Sequence, residues 1–268
     1  GLGTGSRALL KAAHDAIARG ELHAEISVLF CNREPGEHGN ADLLLEMAQS
    51  FGIPTLTLSD RRFRRRAGGA IVRAGEPLPP WRLEYDRAVL DLVAPYTPDV
   101  GILAGYMLIF GAEVCERLAL LNLHPAAPGG PIGTWQRVIW QLIAERATES
   151  GVLINRVIPA VDEGPVLTYC RYGLRGLAFA PLWEEVSGRS GDDLRATQGE
   201  DLPLFRAIRA AGVKREVPLM VQTLVALAGR RLRMEPELLV NEQRTPSLGL
   251  DLTPEVERAV LLAERTQA

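Results

Sequence analysis

Cysteine is scarce in this 268-residue chain, and Cys31, Cys115 and Cys170 are an odd three, far apart and without a C-x-x-C pair. That excludes a disulfide framework and a structural zinc site, and it points to a reducing, cytoplasmic setting. Long hydrophobic runs are missing as well. No stretch approaches the roughly eighteen apolar residues of a spanning helix, and the chain does not open on the charged-then-apolar pattern of an export signal, so no membrane partner is expected. Positive charge is not in excess: 30 Lys and Arg against 33 Asp and Glu leave a net charge of −3. No global field therefore recruits nucleic acid. What is present is 47% hydrophobic and 24% charged residues, the make-up of a soluble globular protein. The length suits one main catalytic or binding domain, placed at 1–230, followed by a C-terminal extension at 231–268.

The order of elements reads as α/β. A glycine-rich opening, Gly1-Leu2-Gly3-Thr4-Gly5-Ser6, feeds a helix for which Ser6 is the expected N-cap. A β-rich run over 26–31, a helical pattern over 41–51 and a strand over 55–58 follow. Such alternation predicts a doubly wound, mostly parallel sheet with helices on both faces. The glycine-rich turn calls for a strand ahead of it and none is there, so the N-terminal strand is expected to be missing from this sequence. The arginine-rich segment 60–69 is expected to be a surface loop, a solvated one in preference to one that contacts a phosphate or an acidic tail. A helix opening at Pro79-Pro80, a buried strand over 100–105, a short helix over 111–118 and a strand over 120–124 come next. Beyond them, a helix over 134–147, strands over 151–159 and 165–172, and two helices over 202–211 and 217–229 are expected.

Asn122 and His124 stand one residue apart in a strand, so both side chains point to one face. The Pro- and Gly-rich segment 125–133 follows at once and places the pair at the ligand-binding edge of an open sheet. On spacing alone, a hydrogen-bonded pair near a strand end is the better account. Asp162-Glu163-Gly164-Pro165 is an acid in a tight connection between strands, with Gly164 expected to take the positive φ; by itself this is an ordinary turn. Trp135, Trp140 and Met107 are expected to pack in the core or line a pocket. His14, His23 and His38 have no partner at metal-ligand spacing, and no metal site is expected.

Taken together, Asn122-Leu123-His124-Pro125, Ala104-Gly105-Tyr106-Met107-Leu108-Ile109 and Asp162-Glu163-Gly164-Pro165 resemble the formyltransferases that use 10-formyltetrahydrofolate, phosphoribosylglycinamide formyltransferases above all. The resemblance spans about residues 1 to 230. It implies a Rossmann-type three-layer fold, 10-formyltetrahydrofolate as the formyl donor and co-substrate, and a small amine acceptor, phosphorylated in the glycinamide case, in purine biosynthesis. It also implies roles. Asn122 would steady the oxyanion of a tetrahedral intermediate, His124 would protonate the departing nitrogen, and Asp162 would assist the imidazole. The folate would lie against Met107, Leu108, Ile109, Ala160 and Val161, with Arg82 near its acidic end, and Gly5, Ser6 and Arg7 would hold the acceptor's phosphate.

The acceptor side departs from the glycinamide enzymes. The loop after His124 differs, Leu108 stands where they carry an arginine, and Asn155 stands where they carry a histidine. An amino-sugar nucleotide as acceptor, hydrolysis of the donor by water, and a non-catalytic folate- or nucleotide-binding module therefore stay open beside transfer to phosphoribosylglycinamide.

Overall fold

A computed structural model describes residues 4–72, 76–233 and 249–267. The chain divides into two compact units, Gly1–Asn122 with Arg156–Gly164, and Leu123–Asn155 with Pro165–Ala268. The expected glycines Gly1 and Gly3 lie outside the described residues.

In the first unit the order is α1 (Gly5–Ala18), β1 (Leu29–Cys31), α2 (Gly39–Ser50), β2 (Thr55–Thr57), α3 (Asp60–Arg66), α4 (Pro80–Val93), β3 (Gly101–Ile102), α5 (Ala112–Arg117) and the start of β4 (Leu120–His124). β1 pairs in parallel with β2, and β3 with β4. Parallel neighbours need crossover connections, and α2 supplies the first, α5 the second. Leu10 of α1 packs with Leu44 and Ala48 of α2 and with Ile53, while Trp81, Tyr85, Val89 and Val93 line one face of α4 at helical spacing. Leu90, from the same helix, packs with Val114 and Cys115 of α5 and Leu120 of β4. Burying these faces, at about 1.5–3 kcal/mol for each large aliphatic or aromatic side chain, fixes the strand ends that carry the site.

Three expectations for this unit are corrected. Ser6 does not cap α1: Thr4 holds the N-cap position, and the Ser6 side chain, buried inside the first turn, donates to the Ala104 carbonyl at 2.7 Å. The arginine run is helix α3, not a loop. Ser59 Oγ accepts from Arg62 N at its start, Asp60 occupies the first turn and three arginines the last, so the charges match the helix dipole. Arg62 is bonded to Glu34 and Glu37, and Phe63 meets the Tyr85 ring edge-on at 5.3 Å, which anchors the helix. The strand expected over 100–105 is reduced to Gly101–Ile102, because Ala104 N and Gly105 N turn back to the carbonyls of Ile102 and Leu103.

The second unit carries the end of β4, α6 (Trp135–Ala144), β5 (Glu149–Arg156), β6 (Val166–Gly173), α7 (Ala180–Glu185), α8 (Gly191–Thr197), α9 (Pro203–Ala228), β7 (Leu250–Asp251) and α10 (Thr253–Gln267). β5 and β6 are antiparallel, and β7 joins β6 in parallel. Strand pairing is thus mostly parallel, as expected. The two helices expected over 202–211 and 217–229 are one continuous α9 through Pro218. Proline removes one intrahelical bond, but buried side chains on both sides of it, Phe205 and Ile208 before and Leu219 and Met220 after, hold a single axis. The short helices α7 and α8 were not anticipated. From the C-terminal extension, β7 and α10 are tied into this unit. Arg215 of α9 pairs with Glu257, Lys214 pairs with Glu264, and Arg171 N of β6 donates to Thr253 Oγ1 at 3.0 Å. No helix among the described residues is long and apolar enough to cross a membrane.

Candidate active site

Strand β4 carries both Asn122 and His124, with buried residues at Leu120 and Leu121 anchoring its start. In the first unit, Val157 N donates to the Leu120 carbonyl at 2.8 Å, which lays the segment after β5 alongside β4. That segment then turns, and Asn122 Nδ2 donates to Asp162 Oδ1 at 3.1 Å. Asp162 sits at φ +58°, in the left-handed region; Gly164, expected to take that role, does not. Asp and Asn tolerate this conformation better than other side chains do, and a non-glycine residue held there is often found where a side chain must be aimed. Sequence proximity alone could not have joined two residues forty positions apart.

In the second unit, His124 is 5% exposed and its Nε2 lies 2.8 Å from the Pro131 carbonyl. A carbonyl only accepts, so Nε2 carries the proton in this arrangement, and the tautomer and ring orientation are set together. The Pro- and Gly-rich segment is what allows the contact. Gly130 N bonds to the Ala127 carbonyl and Ala126 is buried, so the chain reverses and brings Pro131 back to the imidazole. The sequence marked the loop as a turn but gave no sign that Pro131 would be the histidine's partner.

The third element is the segment between β3 and α5. Gly105, at φ +65°, makes the reversal that a side chain would resist. Tyr106 then stacks on Phe110 at 4.7 Å, and Met107 is 78% exposed, so the core, one of the two places expected for it, is excluded. Leu108 and Ile109 are half-buried, whereas Ala160 and Val161 are exposed. Arg82 is placed differently from its neighbours in this set. Only 1% exposed, it donates through Nη2 to Asp86 Oδ1 at 2.9 Å and to the Ile109 carbonyl at 2.8 Å. Asp86 Oδ2 in turn accepts from Gly111 N at 2.9 Å. Burial pushes the Asp86 carboxyl above the usual carboxylate range, against the pull of Arg82 and the Gly111 amide. The Arg82–Asp86 spacing of i, i+4 on a helix was visible in the sequence, but its burial was not.

At the start of α1, Gly5 is exposed, the Ser6 hydroxyl is committed to Ala104, and Arg7 Nη1 reaches Asn40 Oδ1 at 3.4 Å. The backbone N–H groups of the first turn, which a helix leaves without intrahelical partners, are donors that can meet an anion at this end.

Residues 2–171 match the family described as formyl transferase. A phosphoribosylglycinamide formyltransferase of Schizosaccharomyces pombe is 29% identical over 170 residues, 60% of this chain and 75% of that protein. One of Escherichia coli is 29% identical over 197 residues, 72% of this chain and 76% of the other. Among solved structures, the phosphoribosylglycinamide formyltransferase of Coxiella burnetii superposes with a TM-score of 0.61 at 18% identity, covering 93% of this chain and 94% of its own.

Proposed function

The chain belongs to the formyl transferase family, and from that premise we propose that it moves a formyl group from 10-formyltetrahydrofolate to the amine of phosphoribosylglycinamide. Attack of the amine on the formyl carbon makes a tetrahedral intermediate with an oxyanion; collapse breaks the bond to the folate nitrogen, which leaves with a proton. The enzyme must therefore offer a fixed donor to the oxyanion and a proton to the leaving group. Asn122 suits the first task. Its amide has two N–H donors, and the bond from Nδ2 to Asp162 orients the group so that the second can meet developing charge. His124 suits the second, since imidazole both gives and takes a proton near neutral pH and the Pro131 carbonyl holds the ring in place. Asp162 offers a route for the proton the amine gives up. Holding two substrates in register supplies a large part of the remaining acceleration.

Met107, Leu108, Ile109, Ala160 and Val161 are the surface we assign to the folate. The first turn of α1, with Gly5, Ser6 and Arg7, is assigned to the acceptor's phosphate through its backbone donors. The observation that carries the reading is the Asn122–Asp162 hydrogen bond, because it joins two residues whose roles are otherwise inferred from separate motifs. The test is an assay of tetrahydrofolate release with 10-formyltetrahydrofolate in the presence and absence of phosphoribosylglycinamide. Release that needs the amine and yields formylated glycinamide is expected. Equal release without any amine would overturn transfer in favour of hydrolysis, and activity only on an amino-sugar nucleotide would overturn the acceptor.

A further inference from the structure

In the second unit, one residue of β5 interrupts a run of large buried side chains. Val152, Leu153 and Ile154 fill the strand's interior, yet position 151 is glycine, which weakens a strand because it packs nothing. The reason is a second backbone lying against it. A Cβ at 151 would stand 2.5 Å from the Cys170 carbonyl of β6, 2.9 Å from Ala127 Cα and 3.0 Å from Ala127 Cβ. The first neighbour belongs to the paired strand, and the other two belong to the segment that leaves His124. At 2.9 Å the obstacle is main chain, so no change of rotamer relieves it, and even one methyl group on β5 would displace the segment.

That segment has little else to hold it. Between Pro125 and Gly133 there is no helix or strand, Gly129 and Gly133 take positive φ, and Gly129 and Gly130 are exposed. Its shape is set by close approaches: Gly130 N donates to the Ala127 carbonyl at 2.9 Å, and a Cβ on Gly130 would itself come within 2.9 Å of that oxygen. Ala127 is thus the point at which the turn rests on the sheet. Just beyond the turn, the Pro131 carbonyl meets His124 Nε2 at 2.8 Å. Lifting Ala127 moves that carbonyl, because a turn closed between 127 and 130 shifts as a body. A misplacement of about 1 Å at a catalytic group is enough to cost about a hundredfold in rate.

We propose that Gly151 is a positioning residue for His124: by carrying no side chain it seats Ala127 on β5, and the seated turn delivers the Pro131 carbonyl that fixes the tautomer and direction of the imidazole. Gly151 acts through Ala127 and Pro131, not on a substrate. Its effect on turnover rests on the formyl-transfer reading above, whereas its effect on the ring follows from the second unit alone. Replacing a residue of purely structural value would change stability; replacing this one also changes which ring nitrogen holds the proton.

The experiment compares the wild-type chain with Gly151→Ala and with Ala127→Val, which crowds the same contact from the side of the turn and leaves the pairing of β5 with β6 alone. Each is read twice, by nitrogen NMR of the histidine rings at a pH where imidazole is neutral and by steady-state formyl transfer. The chain has four histidines, and the His124 signals are assigned by their absence from His124→Ala. In the wild type, His124 is expected as a fixed tautomer with the proton on Nε2. Both variants are expected to show averaged tautomers and a kcat lower by roughly a hundredfold, with KM for donor and acceptor within about threefold of wild type. A wild-type ring without the fixed Nε2 proton overturns the proposal, and so does a folded variant of either kind that keeps the wild-type tautomer or the wild-type kcat. Loss confined to Gly151→Ala would mean that the glycine serves the paired strand only. Should Gly151→Ala fail to fold, Ala127→Val decides alone. Should the wild type form no product, it is the formyl-transfer reading that fails, and the ring signals still decide whether Gly151 seats the turn.

Discussion

Asn122 Nδ2 lies 3.1 Å from Asp162 Oδ1, so a strand residue and a turn residue forty positions apart share one hydrogen bond. The bond fixes the plane of the Asn122 amide. It also makes Asp162 a residue with two constraints, a carboxylate oxygen bonded to Asn122 and a left-handed backbone that few side chains accept.

Those constraints come apart in two substitutions. Asp162→Asn keeps an oxygen for Asn122 and tolerates the φ of +58°, so it should melt close to wild type while kcat/KM falls about a hundredfold or more. Asp162→Ala should lose activity similarly and in addition lose about 1 kcal/mol of stability, since alanine gains nothing in the left-handed region. Denaturant titrations of the pair check this; equal stability of the two would remove the backbone argument.

In the second unit, Thr168 and Thr223 are fully buried with their hydroxyls 2.6 Å apart, and Thr223 also donates to the Leu219 carbonyl at 2.7 Å. Thr223's proton is thus committed, and the shared one belongs to Thr168. Thr223→Val strands the Thr168 proton in the core and should cost about 1–3 kcal/mol, whereas Thr168→Val should cost less. The double variant should resemble Thr168→Val more than the sum of the two. Strict additivity in unfolding measurements would contradict the pairing.

Asp86 supplies a pH signature. Burial raises its pKa in the folded chain, so over the range between an ordinary carboxylate, about pH 4, and that raised value the folded state binds a proton that the unfolded state has released. Stability from this group is therefore lost as pH rises through the window and regained as it falls. Asp86→Asn, which does not titrate, should flatten that component when unfolding free energies of variant and wild type are subtracted across the acid range. An unchanged difference at every pH would show that Asp86 has no raised pKa.

Much of this could be read from residue order. The β-α alternation, the strand ending Asn122-Leu123-His124, and the acid in the turn at Asp162 are local signals whose periods and turn residues say what they are. The misreadings share a cause, which is that tertiary partners were invisible. Arginines at 61–66 look like solvated loop until Glu34, Glu37 and Tyr85 are placed beside them. Pro218 looks like a helix end until both halves of α9 are seen to bury residues on one axis. Ser6 looks like a cap until the Ala104 carbonyl is found within its reach. At the site, the residue types were legible while their partners, the Pro131 carbonyl for His124 and Ile109 for Arg82, were not, because both are backbone groups and carry no mark in the sequence.

The most direct test of the account is formyl transfer from 10-formyltetrahydrofolate to phosphoribosylglycinamide by His124→Ala, measured beside wild type with circular dichroism on both. The account predicts a folded variant, slightly less stable for want of the Pro131 bond, whose turnover is lower by roughly a thousandfold. A folded variant that turns over at the wild-type rate would contradict it.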